Sequence, residues 1–128
     1  MLHVPDDYKK LNHRRVLLYK LIPGKEKDFW RNRTRLTKAL KLAGWKNRVG
    51  VLTCQSGCCG DWVQVRYHHE DFSSMHEENS KIFPKVVEKY EELYGKDSYE
   101  NDSTNVQLST SENISHYQRL LPSLSSPN

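Results

Sequence analysis

The stretch that decides the fold is Thr53–Asp71, TCQSGCCGDWVQVRYHHED. It holds all three cysteines of the chain, a Trp and the adjacent pair His68 and His69, which invites a metal or redox reading. It also reads as architecture. RVGVLTC (48–54) and DWVQVRYH (61–68) are rich in β-branched and aromatic residues, and the QSGCCG between them carries two glycines. Two such runs joined by a short glycine-containing connection signal a β-hairpin. On the second strand, alternation puts Trp62, Gln64, Arg66 and His68 on one face and Val63, Val65, Tyr67 and His69 on the other. That alternation weighs against zinc. Cys54 and Cys58 have an acceptable ligand spacing, but His68 and His69, adjacent on a strand, point to opposite faces. The stretch is a hairpin with Cys58 and Cys59 in its loop, and no metal is expected.

Upstream, RRVLLYKLIPG (14–24) places apolar residues on both faces, as a central strand does, and Pro23-Gly24 stop it. KEKDFWRNRTRLTKALKLAGW (25–45) is an amphipathic helix. At about 100° per residue, Phe29, Leu36, Leu40 and Ala43 share one face, with Arg31, Arg35 and Lys38 opposite and Gly44 at the end. Downstream, EDFSSMHEENSKIFPKVVEKYEELYG (70–95) is a second helix, capped by Asp71 or Ser73 and ended by Gly95. Its apolar stripe is Phe72, Met75, Phe83, Val86, Val87, Tyr90 and Tyr94. Pro84 cannot bond back to Ser80, so a kink near Ile82 is predicted. TNVQLST (104–110) reads as a short last strand. Residues 1–13 read as an N-terminal arm, 14–110 as a single α+β domain, and 111–128 as a flexible Ser/Pro-rich tail.

The element order β-α-β-β-α-β specifies a ferredoxin-like split βαβ fold, an antiparallel sheet with two helices on one face. Strands with Leu, Val, Trp and Tyr on both faces cannot leave the second face in water. A homodimer packing two sheets face to face covers it.

A chain of 128 residues has room for one modest core. No apolar run is long enough to cross a bilayer, and MLHVPDDYKK (1–10) lacks a signal peptide's apolar centre. A cytoplasmic location with free thiols is therefore expected, the odd count of three cysteines excluding a closed disulfide framework. Charge is uneven. Residues 14–48 hold twelve Lys or Arg against Glu26 and Asp28, so they carry +10 and the remainder −6 of the net +4. Such polarity serves a nucleic-acid surface or mutually attracting faces.

The strand ending in LIPGKEKDFW, the helix ending in AGW, the hairpin with GDWVQV and the segment HEDFSSMHEENSKIFPKV resemble the dimeric ferredoxin-like α+β barrel superfamily. Its branches include the antibiotic-biosynthesis monooxygenases, the stress-responsive barrel proteins and the NIPSNAP group. The resemblance covers about residues 14–95. It implies a small, mostly apolar or aromatic ligand held between sheet and helices and, in some members, oxidation of aromatic polyketides without a cofactor. The haem-degrading branch places an Asn on its first strand, which RRVLLYKLI lacks. No cofactor is expected.

Within that frame, His76 and Asn79 are the catalytic candidates. Both fall inside the stripe made by Phe72, Phe83 and Tyr90, where a polar group needs a partner or a ligand. A neutral imidazole there can accept a substrate proton. Tyr19, Trp62, Arg66, Tyr67 and Phe83 are the substrate-binding candidates, as aromatic walls and an anion-stabilising charge. The alternative is a non-catalytic binding or structural protein in which His76 is a satisfied buried group. A nucleic-acid-binding ferredoxin-like domain is weaker, because DWVQVRYHHE lacks the glycine- and aromatic-rich strand pattern that stacks bases.

Overall fold

The structure, a computed structural model, describes residues 13–54, 60–121 and 124. The expected arm up to residue 12, the hairpin loop with Cys58 and Cys59, and the last residues of the tail lie outside them. Four strands form one antiparallel sheet: β1 (His13–Leu21), β2 (Val49–Thr53), β3 (Trp62–His69) and β4 (Thr110–Arg119), in the order β2-β3-β1-β4. The hairpin stands as read, with Val51 opposite Val65. β1 is central, pairing Leu17 with Val65 on one side and with Ser115 on the other.

The helices are α1 (Glu26–Leu42), α2 (Phe72–Glu77), α3 (Phe83–Tyr94) and α4 (Ser98–Leu108). α1 ends at Gly44, whose φ of 82° suits glycine. The Asp71 carboxylate accepts from the Ser74 backbone N–H, making it the cap of α2. Between α2 and α3, Glu78–Ile82 form a π-helical turn in which the Phe83 N–H reaches back five residues to the Glu78 carbonyl. The kink predicted from Pro84 takes this form.

One core cluster joins Leu36, Ala39 and Leu40 of α1 to Val86 and Tyr90 of α3. A second joins Leu21, Phe29, Val63 and Val106. Asp102 locks three helices together. It accepts from the Tyr90 hydroxyl and from Arg35 Nη1 (2.8 Å), and Asn32 Nδ2 donates to the Tyr90 oxygen at 3.2 Å. Burial and the Asp102 carboxylate push the Tyr90 hydroxyl up to about 12.

Three expectations are corrected here. Residues 104–110 are not the last strand, because α4 runs through Leu108. Its buried residues Ser98, Asp102 and Val106 recur every four positions, a helical stripe that is mostly polar and so invisible to hydropathy. The tail does not begin at 111, because β4 runs to Arg119 along the outer edge of β1. Third, Cys54 is in a disulfide rather than a free thiol. An odd cysteine count excludes a fully paired framework, but it leaves room for one bridge. Among the described residues no helix is long and apolar enough to cross a membrane.

Candidate functional site

Odd-numbered positions of β1 and β3 face the helices, and even-numbered ones face away. Between the helix-facing surface and the helices lies a cavity of about 250 Å³. The sheet contributes Arg15, Leu17 and Tyr19 from β1, Tyr67 and His69 from β3, and Asn113 from β4. α1 contributes Asn32 and Arg33, the π-helical turn Asn79, and α3 Phe83. Aromatic pairs build the walls: Tyr19 against Phe29 (5.1 Å between centroids), Trp45 against Tyr67 (5.9 Å) and Phe83 against Tyr99 (5.8 Å). Burial, with the nearby Tyr67 second, raises the Tyr19 and Tyr99 hydroxyls above 10.

Among the described residues, His69 is the one histidine on this wall, 1% exposed. Its Nδ1 lies 2.6 Å from Glu78 Oε2, and the other oxygen of Glu78 accepts from Asn47 Nδ2. The π-helical turn begins at Glu78, so it presents the carboxyl to the end of β3 and its next residue, Asn79, to the cavity. Burial, reinforced by His68, Arg15 and His13, lowers His69 to about 4. Burial, with Glu70 second and a Ser74 hydrogen bond opposing, raises Glu78 to about 7. The two shifts describe one pair. Below about pH 7 Glu78 is protonated and donates to Nδ1. Above it, the ionised Glu78 accepts Nδ1–H and fixes the tautomer whose Nε2 carries a lone pair. A neutral imidazole oriented by a carboxylate is the chemistry of a general base.

Arg33 is the second unusual wall residue. It is 8% exposed, and its Nη1 donates to the Tyr67 hydroxyl at 3.1 Å. Its Nε and Nη2, together with Trp45 Nε1, are buried without an acceptor among the described residues. An unmet buried donor costs about 1–3 kcal/mol.

Tyr19, Tyr67, Phe83 and Asn79 therefore reach the cavity, Asn79 as an exposed residue at its rim. His76, Trp62 and Arg66 do not. His76 is exposed on α2, and the reason is the π-helical turn. A count of 100° per residue holds only along an unbroken α-helix. The wider turn shifts the phase, rotating Phe72 (61% exposed) and His76 off the stripe that α3 continues. Phe72 packs on Tyr117 of β4 instead, ring centroids 5.4 Å apart. Trp62 and Arg66 occupy even positions on the open sheet face, where Trp62 joins Leu18, Leu52, Gln64 and Ile114 around a shallow apolar concavity.

The residues missed in the sequence left signals there. His69 shares a strand face with Val63, Val65 and Tyr67. Arg33 lies four residues after Phe29 and three before Leu36, inside the apolar stripe of α1. Glu78 left none, since its position depends on the turn. Two residues of the basic face of α1 are paired within the chain: Arg31 with Asp28 at 3.0 Å and Arg35 with Asp102 at 2.8 Å. No group of three His, Cys, Asp or Glu among the described residues could hold a metal ion.

No protein-family model matches the chain, and no curated protein matches it. Solved structures do. A NIPSNAP-like domain protein from Burkholderia xenovorans superposes with a TM-score of 0.57 at 18% identity, covering 90% of this chain and 89% of that one. A NIPSNAP family protein from Agrobacterium tumefaciens gives 0.55 at 9% identity over 85% of each chain. A candidate antibiotic biosynthesis monooxygenase from Bordetella bronchiseptica gives 0.52 at 12% identity, over 85% of this chain and 96% of that one. The chain has the ferredoxin-like α+β fold of the NIPSNAP and antibiotic-biosynthesis monooxygenase proteins.

Proposed function

We propose that this protein is a homodimeric α+β barrel that binds a small aromatic molecule between sheet and helices and oxidises it in a monooxygenase-like reaction without a cofactor. The observation that carries the reading is the buried His69, neutral at physiological pH and oriented by Glu78 on the wall of an aromatic cavity. His69 takes the role expected of His76. Its Nε2 removes a proton from an activated CH₂ of the substrate, while Asn79 and the Tyr67 hydroxyl offer hydrogen bonds to the developing oxyanion. The carbanion then reduces dioxygen to a bound hydroperoxide, and loss of water leaves a carbonyl in place of the CH₂. Tyr19, Tyr67 and Phe83 hold the ring.

A second reading has its own support. The hydrogen bonds that Glu78 makes with Asn47 and His69 tie the π-helical turn to β3, a purely structural use of the same residues. Oxygen uptake separates the two, measured with small phenols and 1,3-diketones across pH 5–9. On the catalytic reading, uptake rises through about pH 7 as Glu78 ionises. It is then lost in His69→Gln at unchanged substrate binding. Binding without uptake leaves a binding protein, and absence of binding rejects the catalytic reading and leaves the structural one.

A further inference from the structure

Among the described residues, the cavity wall holds two guanidinium groups, Arg15 and Arg33, and no carboxylate. Neither has an acidic partner within ion-pair distance among the described residues. Arg15 is half-buried and Arg33 buried, and a buried charge without a counter-charge is costly. The Tyr67 ring, 5.8 Å from the Arg33 guanidinium, offsets only part of that cost. The open donors indicate what would offset the rest. With Nη1 engaged by Tyr67, the two unmatched groups of Arg33 are Nε and Nη2. These N–H bonds run parallel along one edge of the planar guanidinium, spaced to meet the two oxygens of one carboxylate. Trp45, whose buried Nε1 also lacks an acceptor among the described residues, lines the same cavity. Residues of this wall thus carry unmet buried donors and positive charge, which an occupant reaching them would match with acceptors and negative charge.

We infer that the cavity ligand is a small aromatic monocarboxylate, its carboxylate seated on the Nε/Nη2 edge of Arg33 and its ring among Tyr19, Phe29 and Phe83. The inference rests on the proposed reading of the cavity as a small-molecule site and adds the ligand's charge and orientation. Arg15 contributes a second positive charge to the wall. A planar group with two oxygens matches the single open edge, whereas a phosphate would leave oxygens that this edge cannot meet. The size agrees, because about 250 Å³ falls below the roughly 300–1,000 Å³ of drug-sized sites.

Calorimetric titration of the full chain with benzoate, benzamide and inorganic phosphate tests the inference. Benzoate should bind at least about tenfold more tightly than its neutral isostere, and phosphate should not compete with it. Arg33→Gln should erase the preference for the acid. Arg33→Lys keeps the charge but loses the parallel fork, and should reduce that preference even if the Gln variant fails to fold. Benzamide binding as tightly as benzoate would overturn the carboxylate assignment while leaving the cavity as a small-molecule site. A benzoate preference undiminished in the Lys variant would remove Arg33 from the account, and phosphate competing at equal affinity would reassign the anion. Binding of neither ring compound would reject the site itself.

Discussion

The contact between His69 and Glu78 fixes how this protein responds to acid. Glu78 is raised from 4.5 to about 7, so between those values the folded state holds more protons than the unfolded, and stability falls as pH rises. His69 is lowered from 6.5 to about 4, so across that window the folded state holds fewer protons, and stability rises with pH. The two slopes oppose each other between about pH 4.5 and 6.5. Glu78→Gln removes the falling slope and leaves the rising one. Each tenfold change in proton affinity between folded and unfolded states is worth about 1.4 kcal/mol. The variant should therefore lose up to about 3 kcal/mol more than the parent between pH 6.5 and 4. Melting temperatures of both proteins across that range measure the difference, and parallel profiles would contradict the assignment. At this scale the sequence was half legible. His69 and Arg33 each stood as a polar residue within an apolar periodic face, while their partners depend on contacts between elements distant in sequence.

The elements divide according to how their burial is written. β1, α1, β2 and β3 carry strong apolar periods and were readable to within a few residues. α4 and β4 were not. α4 buries Ser98 and Asp102 as well as Val106, and the carboxylate of Asp102 is matched by Arg35 and Tyr90 rather than by apolar neighbours. β4 is an edge strand whose side chains are mostly exposed, so SENISHYQR has the composition of a tail and the pairing of a strand. Its weight can be measured by ending the chain after Thr110. The truncated protein should lose cooperative thermal unfolding, because β1 forfeits a whole ladder and becomes an edge. A circular-dichroism melt matching the full chain would show that β4 contributes little.

For the molecule as a whole, the single antiparallel sheet follows from the element sequence, and so does the question of the sheet face turned away from the helices. Leu52 and Ile114 are exposed there, beside half-buried Leu18 and Trp62. A second copy presenting the same patch about a twofold axis buries all four at once. Sedimentation equilibrium at micromolar concentration should then give a dimer, and Leu52→Glu together with Ile114→Glu should give a folded monomer. A monomeric parent would reject the assembly. The charge asymmetry has a more local meaning than its size suggests, since part of it is taken up by α1 meeting Asp102 inside the chain.

The pairing of His13 with Arg119 also bears on how the protein is made. Translation delivers β1 first and β4 after every other element of the sheet. Throughout that interval, one flank of the central strand has no partner from its own chain, and an open flank accepts strands from other chains. The polar, charged make-up of SENISHYQR gives the late-arriving strand little tendency to aggregate while it waits. The nascent sheet's exposure to misassembly therefore ends only when β4 emerges from the ribosome and closes on β1.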